Sequence, residues 1–186
     1  MAELSRREIL ARLPDLAGLD LSTIDLSDAD LGCAVLRGAN MRQSNLGRAN
    51  LVGADLTECN LLAAKLGRAN LRESRLDGSN LYGSTLREAN LSDASLQFVN
   101  LGATILVGAN LAGADLTGAN LTRANLNDAN LGGAILVGAN LRSAFGAANL
   151  NGAFFSRGGK LPTLFPEGFK PQAHGMILMS EDERPR

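Results

Sequence analysis

The sequence predicts an all-β fold, a four-sided parallel solenoid in which the chain turns a corner every five residues. Three observations predict it. Leucine recurs at every fifth position from Leu16 to Leu141, 26 positions in all, with Met41 as the one exception. Two residues before these positions, from Ala29 to Ala139, stand 23 small or modest side chains, of which 16 are alanine. Asparagine stands directly before every second leucine along most of this stretch.

A period of five residues fits neither an α-helix nor a flat strand. On a helix, successive leucines would step around the axis by roughly 140° and would gather on no single face. On a flat strand, an odd period would send them alternately to the two faces. If the chain turns once per repeat, the leucine and the small residue two before it both point inward. Glycine occupies ten of the 26 positions two residues after leucine, where a type II turn needs a positive φ.

The asparagines indicate the number of sides. An odd number of sides would scatter them over every face, whereas an even number keeps them on fixed faces. Two sides cannot enclose a core, so four sides, with four repeats in each coil, form the smallest solution. Amides stacked on two opposite faces can then hydrogen-bond along the axis. The predicted ladder residues are Asn40, Asn50, Asn60, Asn70, Asn80, Asn90, Asn100, Asn110, Asn120, Asn130 and Asn140.

Segments such as residues 49–53 (ANLVG) and 114–118 (ADLTG) share a signature: alanine, aspartate or asparagine, leucine, and two variable residues. In this respect the chain resembles the pentapeptide-repeat family over about two-thirds of its length. The resemblance implies a right-handed quadrilateral parallel β-helix. We expect about six to seven coils over residues 15–156, roughly 31 Å long at about 4.8 Å per coil.

The N-terminal end of the stack needs a cap, because it exposes an apolar cross-section and an unpaired edge. Residues 1–14 are predicted to form a cap helix. Ser5 and Glu8 have the spacing of a capping box, and the helix is expected from Arg6 to Leu13, with Pro14 ending it.

At the C-terminal end the five-residue spacing slips at Phe145, and phenylalanine and proline become frequent. We predict a Phe/Pro-rich cap at residues 157–179 and a flexible tail at 180–186. Phe154, Phe155 and at least one of Phe165 and Phe169 are expected to be buried. Residues 176–179 (MILM) are interpreted either as a capping strand or as a dimer contact, so the protein is expected to be a monomer or a C-terminal-mediated dimer.

Composition restricts the partners and the compartment. The chain has 18 basic and 19 acidic residues, a net charge of −1, which argues against direct nucleic-acid binding. No apolar run approaches the roughly 20 residues that cross a bilayer, which predicts no membrane partner. The charged N-terminus has no apolar signal segment, so we expect a cytoplasmic protein.

No residue pattern in the sequence predicts an enzyme. The carboxylates fall at outward positions of a convex rod, whereas a catalytic pair needs a cleft. Two cysteines and one histidine provide neither a disulfide framework nor the usual zinc ligand sets. We therefore expect no catalytic residue, no cofactor site and no metal site.

The outward residues favour a structural scaffold or protein–protein interaction module whose partner is an unidentified protein. The predicted interaction surface consists of Leu62, Tyr82, Phe98, Arg48, Lys65, Arg68 and Arg87. The family resemblance implies one alternative, a DNA mimic that binds DNA gyrase, as some members do. Those members are strongly acidic rods, whereas this chain is nearly neutral.

Overall fold

The chain forms a stack of four-sided coils. The structure, a computed structural model, describes residues 5–157 and 160–179. From Asp15 with Val35 to Asn125 with Phe145, each outward residue pairs in parallel with the residue four repeats further along the chain. Each coil therefore contains four five-residue repeats, the number that the asparagine spacing predicts. The predicted tail at residues 180–186 lies outside the described residues.

Backbone hydrogen bonds join each coil to both of its neighbours. In the repeat around Leu81, the Asn80 N–H donates to the Cys59 carbonyl of the preceding coil at 2.9 Å. The Leu81 N–H donates to the Asn100 carbonyl of the following coil at 2.8 Å, and the Ser84 N–H closes the turn on the Leu81 carbonyl at 3.0 Å. The same pattern recurs along the rod, so its buried backbone groups find their partners in the adjacent coils.

The second central residue of the turn has a positive φ in all 26 repeats, from Gly18 to Ser143. Sixteen of these residues are not glycine, among them Thr23 at 59° and Phe98 at 56°. A side chain in this conformation costs on the order of 1 kcal/mol. The stacked turns therefore impose one backbone conformation at every corner, whatever residue stands there.

The sides of the coils are short, since one residue per side bridges to the next coil. The regular elements lie at the ends: helix α1 at Arg6–Leu10, strand β1 at Phe154–Phe155, a 3-10 helix at Pro171–His174 and strand β2 at Ile177–Leu178. β1 and β2 pair in parallel, with Phe154 opposite Ile177.

The core is a column of leucines separated by small side chains. All the repeat positions from Leu16 to Leu141 are buried, and so are the small residues from Ala29 to Ala139. Leucine contributes most of the buried apolar area, while alanine leaves room for the leucines of the other sides. Cys59 stands at one of the small positions, and burial raises the pKa of its thiol to about 12.

Four of the small core positions are serines, and their hydroxyls differ in hydrogen bonding. Ser44 donates to the Met41 carbonyl at 2.8 Å, and Ser74 donates to the Leu71 carbonyl at 2.6 Å. Within the described part of the chain, the buried hydroxyls of Ser79 and Ser84 have no hydrogen-bond partner.

The N-terminal helix is capped as the sequence indicates, but it is shorter than predicted. The Ser5 hydroxyl accepts from the Glu8 N–H at 3.3 Å, and the Glu8 carboxylate accepts from the Ser5 N–H at 2.8 Å. α1 ends at Leu10, three residues before the predicted end, because the Arg12 N–H bonds to the carbonyl of Ile9, three residues back. Ile9 is buried against the first coil.

The coil pattern continues past the predicted boundary at residue 156, with altered spacing. Asn149 and Phe154 pair one residue earlier than the regular spacing requires, and Leu164 pairs four residues later. Leu164 therefore still occupies a rung of the stack, and β2 adds a further rung on β1. The sequence predicts a boundary between the β-helix and the C-terminal cap at residue 156, but in the structure one passes gradually into the other.

The C-terminal aromatic residues are buried only in part. Phe155 is completely buried, whereas Phe154 is half-buried because it stands at an outward position opposite Ile135. Phe165 and Phe169 are also half-buried; their rings are stacked at 5.0 Å, and Phe165 meets Phe155 edge-on at 5.7 Å. The burial prediction is therefore right for Phe155, wrong for Phe154, and met only in part by Phe165 and Phe169.

Strand β2 covers the last coil without being covered itself. Ile177 and Leu178 are both exposed, while Met176 is buried. Pairing of β2 with β1 agrees with the capping interpretation of residues 176–179. The oligomeric state, a monomer or a C-terminal-mediated dimer, stays a prediction.

The unpartnered hydroxyls generate a stability prediction. Replacing Ser84 by alanine should raise the free energy of unfolding by about 1 kcal/mol, because a buried hydroxyl without a partner is unfavourable and alanine fills most equivalent positions. Urea unfolding followed by circular dichroism measures the change. The matched control is Ser74→Ala, which removes a hydrogen bond and should not stabilise the fold. Equal stabilisation of the fold by both substitutions would contradict this interpretation.

Candidate protein-interaction surface

Outward side chains at equivalent positions of successive coils stack into columns along the rod. Two opposite faces carry the asparagine columns, which hold all the predicted ladder residues. The first asparagine face contains Asn40, Asn60, Asn80, Asn100, Asn120 and Asn140. The second asparagine face contains Asn50, Asn70, Asn90, Asn110, Asn130 and Asn149.

The amides form hydrogen bonds along the axis. Asn100 donates from Nδ2 to Oδ1 of Asn80 at 3.1 Å. Its own Oδ1 accepts from Nδ2 of Asn120 and from the Gly102 backbone N–H, each at 3.1 Å. The Asn100 amide therefore links three coils and also anchors the turn that follows it.

These ladders have a direction, which explains where aspartate occurs. In each ladder hydrogen bond of the described rod, the later coil donates and the earlier coil accepts. An ionised aspartate accepts but cannot donate, so it fits the first rung alone. Asp20 starts the first asparagine face and accepts from Asn40 at 2.9 Å; Asp30 starts the second and accepts from Asn50 at 2.8 Å.

The first coil depends on ionised carboxylates where later coils use neutral amides. Hydrogen bonds from Ser22 hold the pKa of Asp20 below its ordinary value. Hydrogen bonds from the Ser27 hydroxyl and backbone do the same for the pKa of Asp25. These carboxylates anchor the turns of the first coil as the asparagine amides do elsewhere.

Tyr82 lies on the corner that follows the first asparagine face, in one column with Leu62 and Gly102. Its ring lies over Gly102: a Cβ added at that glycine would be 2.9 Å from ring atom Cδ2. The side chain is held against the rod, yet 45% of Tyr82 is exposed. Leu62, one coil earlier, is half-buried.

Phe98 lies on the opposite corner of the same face, one coil further along. It is 61% exposed, and its ring lies over Gly118, where an added Cβ would be 2.6 Å from two ring carbons. The ring is what requires glycine at this position, because non-glycine residues adopt a similar positive φ at other corners. Tyr82 and Phe98 therefore border the rungs of Asn80 and Asn100 on two sides.

The corner that carries Arg48 and Arg68, two residues of the predicted interaction surface, is balanced by carboxylates. Arg48 forms a bidentate pair with Asp28 at 2.7 and 2.6 Å, and Arg68 binds Glu88 at 2.8 Å. All four residues share one column, so the spacing that places the arginines together also locates their partners. The prediction from sequence missed Asp28 and Glu88, and this corner is not a free positive patch.

Lys65 and Arg87 differ from those arginines. Both are exposed, and among the residues that the structure describes neither lies within 4.0 Å of a carboxylate. Of the seven predicted surface residues, Leu62, Tyr82, Lys65 and Arg87 stand on one side of the rod, with Phe98 across the first asparagine face.

The described residues contain no cluster of metal ligands. Over 5–157 and 160–179, no three His, Cys, Asp or Glu side chains gather as a metal site would require. Over the same residues, no helix has the length and apolar character that a membrane crossing needs. Cys33 is an exposed free thiol, and Cys59 is buried in the core.

Comparisons with known proteins agree with this architecture. The family model described as pentapeptide repeats matches in eight copies within residues 15–142. The comparison with curated proteins gives no match.

The solved structures that are similar to this chain include the following three. A pentapeptide repeat protein from the Arabidopsis thaliana thylakoid lumen is 31% identical, over 61% of this chain and 72% of its own, with a TM-score of 0.44. HetL, a pentapeptide repeat protein involved in heterocyst differentiation regulation in the cyanobacterium Nostoc, is 29% identical over 94% and 93%, with a TM-score of 0.34. A trypsin-treated form of QnrB1, a plasmid-mediated fluoroquinolone resistance protein, is 18% identical over 83% and 87%, with a TM-score of 0.50. The compartment of this chain stays a prediction.

The direction of the ladder generates a second prediction. Asn100→Asp should lower the free energy of unfolding by about 1–2 kcal/mol at neutral pH, because the carboxylate would face Oδ1 of Asn80 without a proton to donate. Part of the loss should be recovered below about pH 4, where the carboxyl can donate. The matched control is Asp20→Asn at the first rung, which should be nearly neutral. Equal effects of the two substitutions in urea unfolding would refute a directional ladder.

The first-coil carboxylates predict local loosening in acid. Because the pKa values of Asp20 and Asp25 are lower in the folded chain, their stabilisation is fully present above the ordinary value of about 3.9 and is lost as the pH falls through the folded values. Hydrogen-exchange protection of the Ser22 amide, bound to Asp20, should therefore fall in acid. Protection of the Gly102 backbone N–H, which donates to the side chain of Asn100, should not change in acid. An equal loss of protection at Ser22 and Gly102 would contradict the role given to the first-coil carboxylates.

Proposed function

Because the chain belongs to the pentapeptide-repeat family, we propose that it is a non-enzymatic scaffold that binds a protein partner along one side of the rod. The observation that carries the proposal is the first asparagine face with Tyr82 and Phe98 at its two corners. The right-handed sense of the coil follows from the family.

The two aromatic residues have the properties of binding anchors. Aromatic side chains are enriched among the residues that dominate binding energy at protein interfaces. Tyr82 and Phe98 expose their rings to solvent, and the glycines beneath them fix where the rings lie. Such side chains lose little conformational freedom when a partner covers them.

The rod holds these anchors on a rigid support. Each repeat is hydrogen-bonded to the coils on both sides, so the spacing between neighbouring rungs is fixed before a partner arrives. Extended, preorganised surfaces of this kind are how repeat proteins commonly bind other proteins.

The gyrase alternative would need a continuous acidic surface that resembles DNA. In the described rod six carboxylates stand beside arginines; for example, Arg37 lies 3.6 Å from Glu58, and Arg72 lies 2.8 Å from Glu73. The net charge of −1 also gives little long-range resemblance to a polyanion. No feature of the described surface favours DNA mimicry over protein binding.

Affinity capture from the source cells tests the proposal with paired variants. The full-length protein and the double variant Tyr82→Ser/Phe98→Ser are immobilised, and captured proteins are identified by mass spectrometry. We expect a partner that binds the wild-type rod and is lost with the double variant. The matched control is Val35→Ser/Val52→Ser, which removes one exposed and one half-buried apolar residue from the other two faces of the coil and should retain the partner.

Two results would contradict the proposal. If both double variants capture the partner equally, the first asparagine face is not part of the contact. If the wild-type rod enriches no protein, the scaffold role is wrong. Inhibition of gyrase supercoiling by the wild-type rod, without a captured partner, would favour the alternative. Thermal unfolding of each variant verifies that the fold is retained.

A further inference from the structure

One side of the rod contains no acidic residue over six coils. This acid-free side is defined as residues 40–47, 60–67, 80–87, 100–107, 120–127 and 140–145. It includes the first asparagine face and the face that follows it in each coil, and it is about 24 Å long at about 4.8 Å per coil. It carries five basic residues, namely Arg42, Lys65, Arg87, Arg123 and Arg142.

The remaining two faces carry the acidic residues. This ion-paired side is defined as residues 28–39, 48–59, 68–79, 88–99, 108–119 and 128–139. It holds ten acidic and five basic residues, a net charge of −5, against +5 for the acid-free side. All six ion pairs of the described chain lie on the ion-paired side, including those of Arg48 and Arg68.

The positive charges of the acid-free side are not compensated locally. In the described part of the chain, none of its five basic residues has a carboxylate oxygen within 4.0 Å. Arg42, Lys65 and Arg87 stand on successive coils and step diagonally across one face. At physiological salt the field of such a cluster acts over about 8 Å, enough to attract an anionic surface as it approaches.

The asparagines of this side add hydrogen-bond donors rather than acceptors. Oδ1 of Asn80 already accepts from the Tyr82 N–H at 3.2 Å and from Asn100 at 3.1 Å, and Oδ1 of Asn100 is filled in the same way. An amide nitrogen carries two hydrogens, and the ladder uses one of them at Asn40, Asn60, Asn100 and Asn120. The other is available to an acceptor on a partner, so the face is best matched by carboxylate or carbonyl oxygens.

Apolar side chains are interleaved with these charges. Leu62 and Tyr82 follow Arg42 in one corner column, and Ile105 follows Lys65 by two coils on the adjacent face. The five charges are sparse over a surface this long, whereas a nucleic-acid groove follows the phosphates closely and stacks successive bases on aromatic rings. The combination fits a protein segment better than a polynucleotide.

We infer that the acid-free side binds an acidic protein segment that carries interspersed apolar side chains. This inference rests on the proposed function and names the chemistry of the partner. Carboxylates of the segment pair with Arg42, Lys65 and Arg87 and accept from the amides, while its apolar side chains contact Leu62 and Tyr82. The excess of carboxylates on the ion-paired side keeps the same segment from binding there.

Fluorescence anisotropy with a labelled peptide tests the inference on the full-length protein. The probe is a short peptide of glutamates with leucine at every fourth position; one comparison peptide has glutamine in place of glutamate, and another has alanine in place of leucine. Each is titrated against the wild type, the triple variant Arg42→Glu/Lys65→Glu/Arg87→Glu, and the control triple variant Arg37→Glu/Arg72→Glu/Arg75→Glu from the ion-paired side. The two triple variants change the net charge equally.

We expect the wild type and the control triple variant to bind the glutamate–leucine peptide at low salt. Binding should weaken at least about tenfold in the acid-free-side triple variant, and it should also weaken at about 0.15 M salt. The glutamine peptide should bind at least about tenfold more weakly than the glutamate peptide. Tyr82→Ser should weaken binding of the leucine peptide but not of the alanine peptide.

Three results would overturn the inference: no binding of the glutamate–leucine peptide by the wild type, equal loss in both triple variants, or binding of an oligothymidylate of the same length at least as tight. If the triple variant is unfolded, Lys65→Glu alone provides the same test at one exposed site. A partner that the acid-free-side triple variant still captures from cells would overturn this inference and leave the proposed function in place.

Discussion

Every coil of this rod has to superimpose on its neighbours, because the N–H groups of one coil donate to carbonyl groups of the coils beside it. A corner that turned differently would move its side out of register with the coils on both sides. This explains why Thr23 and Phe98 adopt the same positive φ as the glycines of other corners. It also explains why the inward positions repeat leucine and small residues with little variation.

The stacking also gives the rod a direction. Since parallel coils place equivalent positions above one another, one side-chain hydrogen bond can be repeated wherever asparagine recurs in a column. The asparagines use it with the donor always on the later coil, so Asp20 and Asp30 are suited to the first rung and amides to the rungs that follow. At the other end the repeat changes its spacing, and Leu164 and strand β2 continue the stack with irregular offsets.

Outward positions are freed from these constraints, and there the sides of the rod come to differ. Tyr82 and Phe98 lie over glycines one coil further on, which keeps large rings close to the surface without disturbing the turns. Beyond the first coil, charges are sorted in the same way: acidic residues and their arginine partners occupy two faces, and basic residues without a nearby carboxylate in the described chain occupy the other two. A uniform core thus supports two chemically distinct sides, which is the basis for a directional contact with a partner.

The sequence by itself determined the period, the four sides, the inward residues and the asparagine columns, because each follows from spacing along the chain. It also identified the capping box, because Ser5 and Glu8 are only three residues apart in the chain. The coil spacing places Asp28 and Arg48 in one column, but only the tertiary structure decided that their side chains meet in an ion pair. The same holds for the end of α1 at Leu10, the half-exposure of Phe154 and the course of residues 160–179, where the repeat no longer fixes the position of each residue.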